Sequence, residues 1–181
     1  MVIRKSLRKL VIFDLDGTLF QLNVDWSAIQ TYKESHQQSD VITYVQQAEL
    51  AGVKTGNPIE GAKKVLDTLS KNHSLAIMSR NFRATIHESL EVIDFSGDIF
   101  VIGREDVVNQ KPDPEGLHKI LKHFEVTEDE AIVIGDTTHD VEAAQAGRVN
   151  SIVIRNPKNT YIPEKADLYI DRLSELLETG I

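Results

Sequence analysis

Six short apolar runs punctuate this chain of 181 residues, at 10–13, 75–78, 99–102, 131–134, 151–154 and 168–170. Each is too short for a globular helix and rich in large apolar side chains, the pattern of a strand buried on both faces. Between them the apolar residues fall at helical spacing: Ala62, Val65, Leu66 and Leu69, then Ile86, Leu90 and Ile93, then Leu117, Ile120, Leu121 and Phe124. Asp113-Pro114 reads as a helix start, with a carboxylate N-cap and proline at the first helical position. Val141 to Ala146 reads as a helix closed by Gly147, and Leu173 to Glu178 as a last one. Strands alternating with helices dictate an α/β fold, a doubly wound parallel sheet covered on both faces.

Residues 21–58 break that rhythm. Two helices are expected there, near Asp25 to Ser35 and Asp40 to Ala51, with Gly52, Gly56 and Pro58 ending them. The segment leaves the sheet after the first strand and returns before the next helix, so it should stand over the strand ends as a small helical cap. The expected division is 1–20 and 59–181 for the α/β core and 21–58 for the cap. Trp26, Tyr32 and Tyr44 read as packing within that cap, as aromatics usually do.

Parallel strands bring all their carboxyl ends to one rim, where open α/β sheets bind ligands. The first run ends in Asp14-Leu15-Asp16-Gly17-Thr18, and residues two apart in extended backbone point the same way. Asp-x-Asp-Gly could be a plain turn with Asx-type hydrogen bonds. It could equally hold a divalent cation, which relieves the repulsion of two close carboxylates. The second run delivers Ser79 and Arg80, the loop after the third delivers Lys111, and the fourth ends in Gly135-Asp136-Thr137-Thr138-His139-Asp140.

Phosphoryl transfer uses such a set. Mg²⁺ prefers oxygen ligands and keeps waters while bridging protein and phosphate. A carboxylate can attack phosphorus, a lysine and a hydroxyl can hold the equatorial oxygens, and a second acid can move the protons. Lys111 could instead be a solvated loop residue, Ser79 a structural hydroxyl, and Asp140 a cap for a helix beginning at Val141. Arg80 could pair on the surface or point at substrate. His139 reads as a solvent-facing loop histidine without a catalytic task.

Asp14-Leu15-Asp16-Gly17-Thr18, Ser79, Lys111-Pro112-Asp113-Pro114 and Gly135-Asp136-Thr137-Thr138-His139-Asp140 together resemble the four motifs of the haloacid dehalogenase-like phosphohydrolase superfamily. The phosphoglycolate phosphatase-like branch is the most similar, and the likeness covers nearly the whole chain outside the insertion. It implies a Rossmann-like core with a cap that gates the site. It implies that Asp14 is the nucleophile and Asp16 the general acid/base, whose backbone carbonyl also contacts Mg²⁺. Ser79 and Lys111 would bind the phosphoryl group, Asp136 would ligate the metal directly, and Asp140 would lie in or behind that ligand set. Gly17 and Thr18 would shape the turn after the nucleophile, Thr18 lying beside the substrate. The acid at Asp16 separates phosphatases from the dehalogenases of the superfamily, which lack it.

The expected activity is thus Mg²⁺-dependent hydrolysis of a small phosphorylated metabolite through an aspartyl-phosphate. A phosphomutase is the alternative within the superfamily, and a non-catalytic binding or regulatory module the alternative outside catalysis. The insertion is shorter than the caps of this branch. Either the substrate extends beyond the pocket or a second subunit of a homodimer supplies the missing wall.

Composition narrows the partners. A formal net charge of −8 argues against binding along a nucleic-acid backbone. With no cysteine there are no disulfides or thiolate sites. Arg4, Lys5, Arg8 and Lys9 precede an apolar run as in a signal peptide, but Asp14 and Asp16 interrupt it, and no stretch is long enough to span a membrane. A cytoplasmic setting is the default expectation.

Overall fold

Leu10–Phe13 forms β1, and all its side chains are buried because it is the inner strand of a six-stranded sheet. In the computed structural model residues 9–159 and 161–181 are described; Arg4, Lys5 and Arg8 lie outside them. The other strands of the sheet are β4 (Ser74–Met78), β5 (Phe100–Ile102), β6 (Ala131–Gly135), β7 (Asn150–Ile154) and β8 (Leu168–Ile170). Their order is β5-β4-β1-β6-β7-β8, and every pairing is parallel. The expected doubly wound, Rossmann-like sheet is therefore present.

The chain winds from β1 outward through β4 to β5, then crosses back to β6 on the other side of β1. The direction of winding reverses between β1 and β6, which opens a crevice at their carboxyl ends. Period-two alternation sends Val11 and Phe13 to one face of the sheet and Leu10 and Ile12 to the other. The first face packs against α3 (Ala62–Leu69), α4 (Arg83–Ile93) and the carboxyl-terminal turn Leu173–Glu178. The second packs against α5 (Glu115–Phe124) and α6 (Thr138–Ala146).

Several helix ends differ from the sequence expectation. The N-cap of α5 is Pro114 rather than Asp113, although the Asp113 carboxylate still accepts from the Glu115 amide at 2.9 Å. The start of α6 is Thr138 rather than Val141, because Thr137 is the N-cap and Asp140 reaches back to it. Residues 173–178 wind as a 3₁₀ helix, the tighter form common in short terminal turns.

The insertion holds two helices, α1 (Trp26–Lys33) and α2 (Gln38–Thr55). A short antiparallel pairing of β2 (Phe20–Gln21) with β3 (Asn57–Pro58) closes its base. Gly52, expected to end the second helix, lies inside it, and Gly56 ends it instead. A side chain at Gly52 would place its Cβ 2.5 Å from Val24, so glycine there permits close approach rather than termination. Tyr32 and Tyr44 stack between the two helices with ring centroids 4.1 Å apart, as their packing role requires. Ile29, Val41 and Val45 cluster with Phe82 of the core, which docks the insertion on the entry to α4. No described helix is long and apolar enough to cross a membrane.

Leu66 is fully buried on the apolar stripe of α3. Leu66→Ala should cost about 3 kcal/mol of stability through lost burial and the cavity left behind. Urea unfolding measures this, and a loss below about 1 kcal/mol would mean that the α3 face repacks freely.

Candidate active site

Asp14 follows β1 directly, and its amide donates to the Ile134 carbonyl at 2.8 Å, so the sheet pairing carries it onto the rim. The chain then turns sharply. Thr18, Leu19 and Phe20 all donate to the Leu15 carbonyl, and Gly17 adopts φ +89°. A Cβ at Gly17 would sit 2.0 Å from a carboxylate oxygen of Asp136, so only glycine lets the two strand ends meet. Thr18 shapes this turn, but its hydroxyl is buried without a partner among the described residues and it does not line the cavity above the site. Expected beside the substrate, its side chain is fully buried beneath the rim.

Lys111 is buried, and its ammonium lies 2.7 Å from Asp14 Oδ1 and 2.5 Å from Asp140 Oδ1. The loop bringing it in is pinned by Glu115, whose carboxylate accepts from the Asn109 amide at 2.8 Å and the Val108 amide at 3.1 Å. Burial works against the charge of Lys111, but Asp14 and Asp140 hold the ammonium above the ordinary lysine range. Burial likewise pushes the Asp14 carboxyl up, and Lys111 pulls it back. Lys111 is not a solvated loop residue.

Asp140 does two jobs. Its Oδ2 accepts from the Thr137 amide at 3.0 Å and the Thr137 hydroxyl at 2.6 Å, half of a capping box at the start of α6. Its Oδ1 is left for Lys111. Gly135 leaves room for this carboxylate, since a Cβ there would lie 2.3 Å from its carbon.

Asp136 stands across from this pair. Its Oδ2 accepts from Asn156 Nδ2 at 3.1 Å and Asn159 Nδ2 at 2.9 Å, while its Oδ1 is buried with no partner among the described residues. Burial, then the charges of Asp14 and Asp140, push its carboxyl up to about 7. Asp14, Asp136 and Asp140 each offer an oxygen within 4.8 Å of the others. An orphaned buried oxygen costs free energy unless something occupies it, so the donor set fits a hard divalent cation with oxygen ligands.

The Asp16 side chain lies outside that trio. It accepts from the Leu22 amide at 2.9 Å, which ties it to the base of the insertion, and burial pushes it up to about 7. Asp16 lines a cavity of about 320 Å³ with Asp14, Ser79, Arg80 and Lys111. Ser79 sits at the end of β4, its amide donating to the Ile102 carbonyl at 3.0 Å and its hydroxyl to Asn81 Oδ1 at 2.8 Å.

Two expectations change here, those for His139 and Trp26, and the open alternatives for Arg80 narrow. Arg80 turns toward the cavity, with Nη1 3.4 Å from His139 Nδ1. His139 is the second residue of α6, half-buried on the cavity wall rather than in a solvent-facing loop. Burial, then the Arg80 charge, lower its pKa. Trp26, expected to pack within the insertion, is 43% exposed and faces the cavity beside Lys33. The residues that sequence reasoning missed are Asn81, Arg104, Asn156 and Asn159. Asn156 follows the apolar run of β7, so strand-end logic alone could have found it.

Lys111→Met leaves two buried carboxylates facing each other without a cation. In metal-free buffer near pH 8 the loss of stability should be about 3–5 kcal/mol. Burial raises the folded-state pKa of such acids, so their contribution worsens as pH rises and the loss should shrink near about pH 5. Urea unfolding at both pH values reads this. A pH-independent loss would show that the acids find solvent once the lysine is gone.

The haloacid dehalogenase-like hydrolase family matches residues 20–154, a span that includes Ser79, Lys111, Asp136 and Asp140 and begins just after Asp14 and Asp16. Pyrophosphatase PpaX of Listeria welshimeri is 26% identical over 208 aligned positions, covering 92% of this chain and 94% of that protein. A putative phosphoglycolate phosphatase from Lactobacillus plantarum superposes with a TM-score of 0.75 at 19% identity, over 96% of this chain and 100% of that one. The hydrolase YfnB from Bacillus subtilis, solved with bound magnesium, gives 0.71 at 18% identity, over 96% and 98%. The expectation of a phosphatase-type hydrolase agrees with the names that the first two carry. With the family profile spanning most of the chain and the fold shared throughout, this protein belongs to the haloacid dehalogenase-like hydrolase family.

Proposed function

We propose that this protein is a Mg²⁺-dependent phosphomonoester hydrolase that works through an aspartyl-phosphate on Asp14. The observation that carries the reading is the arrangement at the rim: Asp14 tied to Lys111, beside an Asp136 oxygen that no group among the described residues satisfies. Asp136, Asp14 and Asp140 would hold the cation, and the Asp16 carbonyl, to which no described donor bonds, would be the further ligand that the resemblance implies. When bound, the ion supplies the positive charge that lets a phosphate dianion approach carboxylates.

The chain's own residues account for the rest. Asp14 attacks phosphorus, an oxygen–phosphorus bond forms, and the bond to the leaving alcohol breaks. Asp16, held near a pKa of about 7, can carry a proton at neutral pH and give it to the leaving oxygen. It then takes a proton from the water that cleaves the aspartyl-phosphate, releasing orthophosphate and restoring both acids. Lys111 and the Ser79 hydroxyl stand where they can hold the equatorial oxygens as charge spreads over them.

Past this inner group the cavity is cationic. Arg80, Arg104 and Lys33 face it, and Arg80 has no carboxylate within ion-pair distance among the described residues. That polarity favours a small substrate whose leaving portion is itself anionic. The pyrophosphatase relatives are named for a substrate of that kind.

Phosphate release from p-nitrophenyl phosphate should require Mg²⁺, and Asp14→Asn should fall below about a thousandth of the wild-type rate. Substantial activity in that variant would remove Asp14 as nucleophile. A second comparison tests the cationic mouth, by setting para-carboxyphenyl phosphate against phenyl phosphate. The preference for the carboxylated ester, read as the ratio of the two specificity constants, should drop about tenfold in Arg80→Gln, the worth of one charged hydrogen bond. An unchanged ratio would place Arg80 away from the leaving portion.

A further inference from the structure

Glu49 is a carboxylate with no place in the chemistry above, and it is fully buried. It lies on the docking face of α2, in line with Val41, Val45 and Val53. From the insertion its side chain crosses to the core. Its Oε2 accepts from the Phe82 amide at 3.0 Å and the Thr85 hydroxyl at 2.9 Å. These are the N-cap and third residue of α4, a helix with no capping side chain of its own at that end. A carboxylate supplied from the insertion thus does the work of a helix cap in the core.

The segment it grips is the one that carries Ser79. The Ser79 hydroxyl donates to Asn81 Oδ1 at 2.8 Å, and the Asn81 carbonyl accepts from the Arg104 amide at 2.9 Å. Arg104 Nε donates to the Arg80 carbonyl at 2.9 Å, while its guanidinium stacks 5.0 Å from the Phe82 ring. Arg104 Nη2 closes the circuit 3.9 Å from Glu49 Oε1. Residues 79–82 are therefore held from the core side by Arg104 and from the insertion by Glu49.

Docking by itself does not call for this charge. Ile29, Val41 and Val45 already pack on Phe82, and an apolar side chain at position 49 would add to that contact. A buried carboxylate whose Oε1 has no hydrogen bond among the described residues is costly by comparison. The cost is offset where the carboxylate fixes the geometry of what it bonds.

We propose that Glu49 is a positioning residue for phosphoryl binding: it ties α2 to the segment Ser79–Phe82 and thereby sets where the Ser79 hydroxyl stands. The inference rests on the reading of Ser79 as a phosphoryl-binding group. Through it, the seating of the insertion on the core is transmitted to the oxygen-binding end of β4.

A double-mutant cycle on orthophosphate binding tests this, by calorimetry with Mg²⁺ present. Glu49→Ala alone should weaken orthophosphate binding about tenfold, and less than about twofold in a Ser79→Ala background, because the effect passes through Ser79. Glu49→Asp keeps the charge but withdraws it by one methylene, and runs the same cycle should the alanine variant not fold. Equal losses in both backgrounds, or none in the first, would overturn the proposal and reduce Glu49 to a stability element. Turnover is read separately on p-nitrophenyl phosphate. No turnover with a non-additive cycle would remove the hydrolase and leave the Glu49 role standing. Turnover with an additive cycle would do the reverse.

Discussion

The ammonium of Lys111, buried between Asp14 and Asp140, is the contact on which the rest of the rim depends. A lone buried carboxylate would take up a proton or draw in water. With the lysine between them, two such acids can stand at the heart of a sheet edge with an opposite charge beside each. The contact joins three distant parts of the chain: the end of β1, the loop before α5 and the first turn of α6. Glu115 anchors the loop, and the Thr137–Asp140 capping box fixes the turn. Each local motif thus has a tertiary consequence, because it sets one corner of a triangle whose side is a hydrogen bond.

The sheet decides where that triangle lies. Because the winding reverses beside β1, neither neighbouring connection covers the ends of β1 and β6, and the crevice stays open. Two glycines make it shallow enough for carboxylates to meet. Gly17 lets the turn after β1 approach Asp136, and Gly135 lets the Asp140 carboxylate lie on the end of β6. Here glycine serves close approach as much as backbone freedom.

What the sequence disclosed follows from the range over which each signal acts. The six strands of the parallel sheet were legible because strands covered on both faces are largely apolar, whereas the two-residue strands β2 and β3 offer no such run. Asp14 and Asp136 were legible because strand order carries polar residues after such runs to one rim, and Lys111 through the resemblance of its loop to a family motif. Helix ends were less so: Gly52 looks like a terminator until the approach of Val24 is seen. Asn156 stands just past the run of β7 and was open to the same strand-end logic, whereas Asn159 was missed because its pairing with Asp136 is non-local and nothing adjacent in sequence marks it. His139 and Trp26 were misjudged for a similar reason, since exposure toward a cavity and exposure toward solvent look alike in sequence. Glu49 did leave a trace, as an acid spaced four residues from Val45 and Val53 on an otherwise apolar stripe.

The charges of the site fall into two tiers. At the base, one ammonium faces three buried carboxylates, with a bare oxygen on Asp136. This tier is short of positive charge, which is why the proposed divalent cation suits it and why a phosphate would not settle there alone. Above it Arg80, Arg104 and Lys33 give the mouth the opposite sign. An anionic ligand is therefore drawn to the opening first and must find compensation deeper down to go further. Arg104 belongs to both arrangements, since it faces the mouth and also braces the Ser79 segment against Glu49. A ligand that engages Arg104 meets a side chain already fixed by the docked insertion. On the proposed reading, substrate attraction, the seating of the insertion and the placement of the Ser79 hydroxyl then share one set of hydrogen bonds. An insertion of only two helices needs such sharing, because it has little apolar surface with which to hold itself over the site by packing alone.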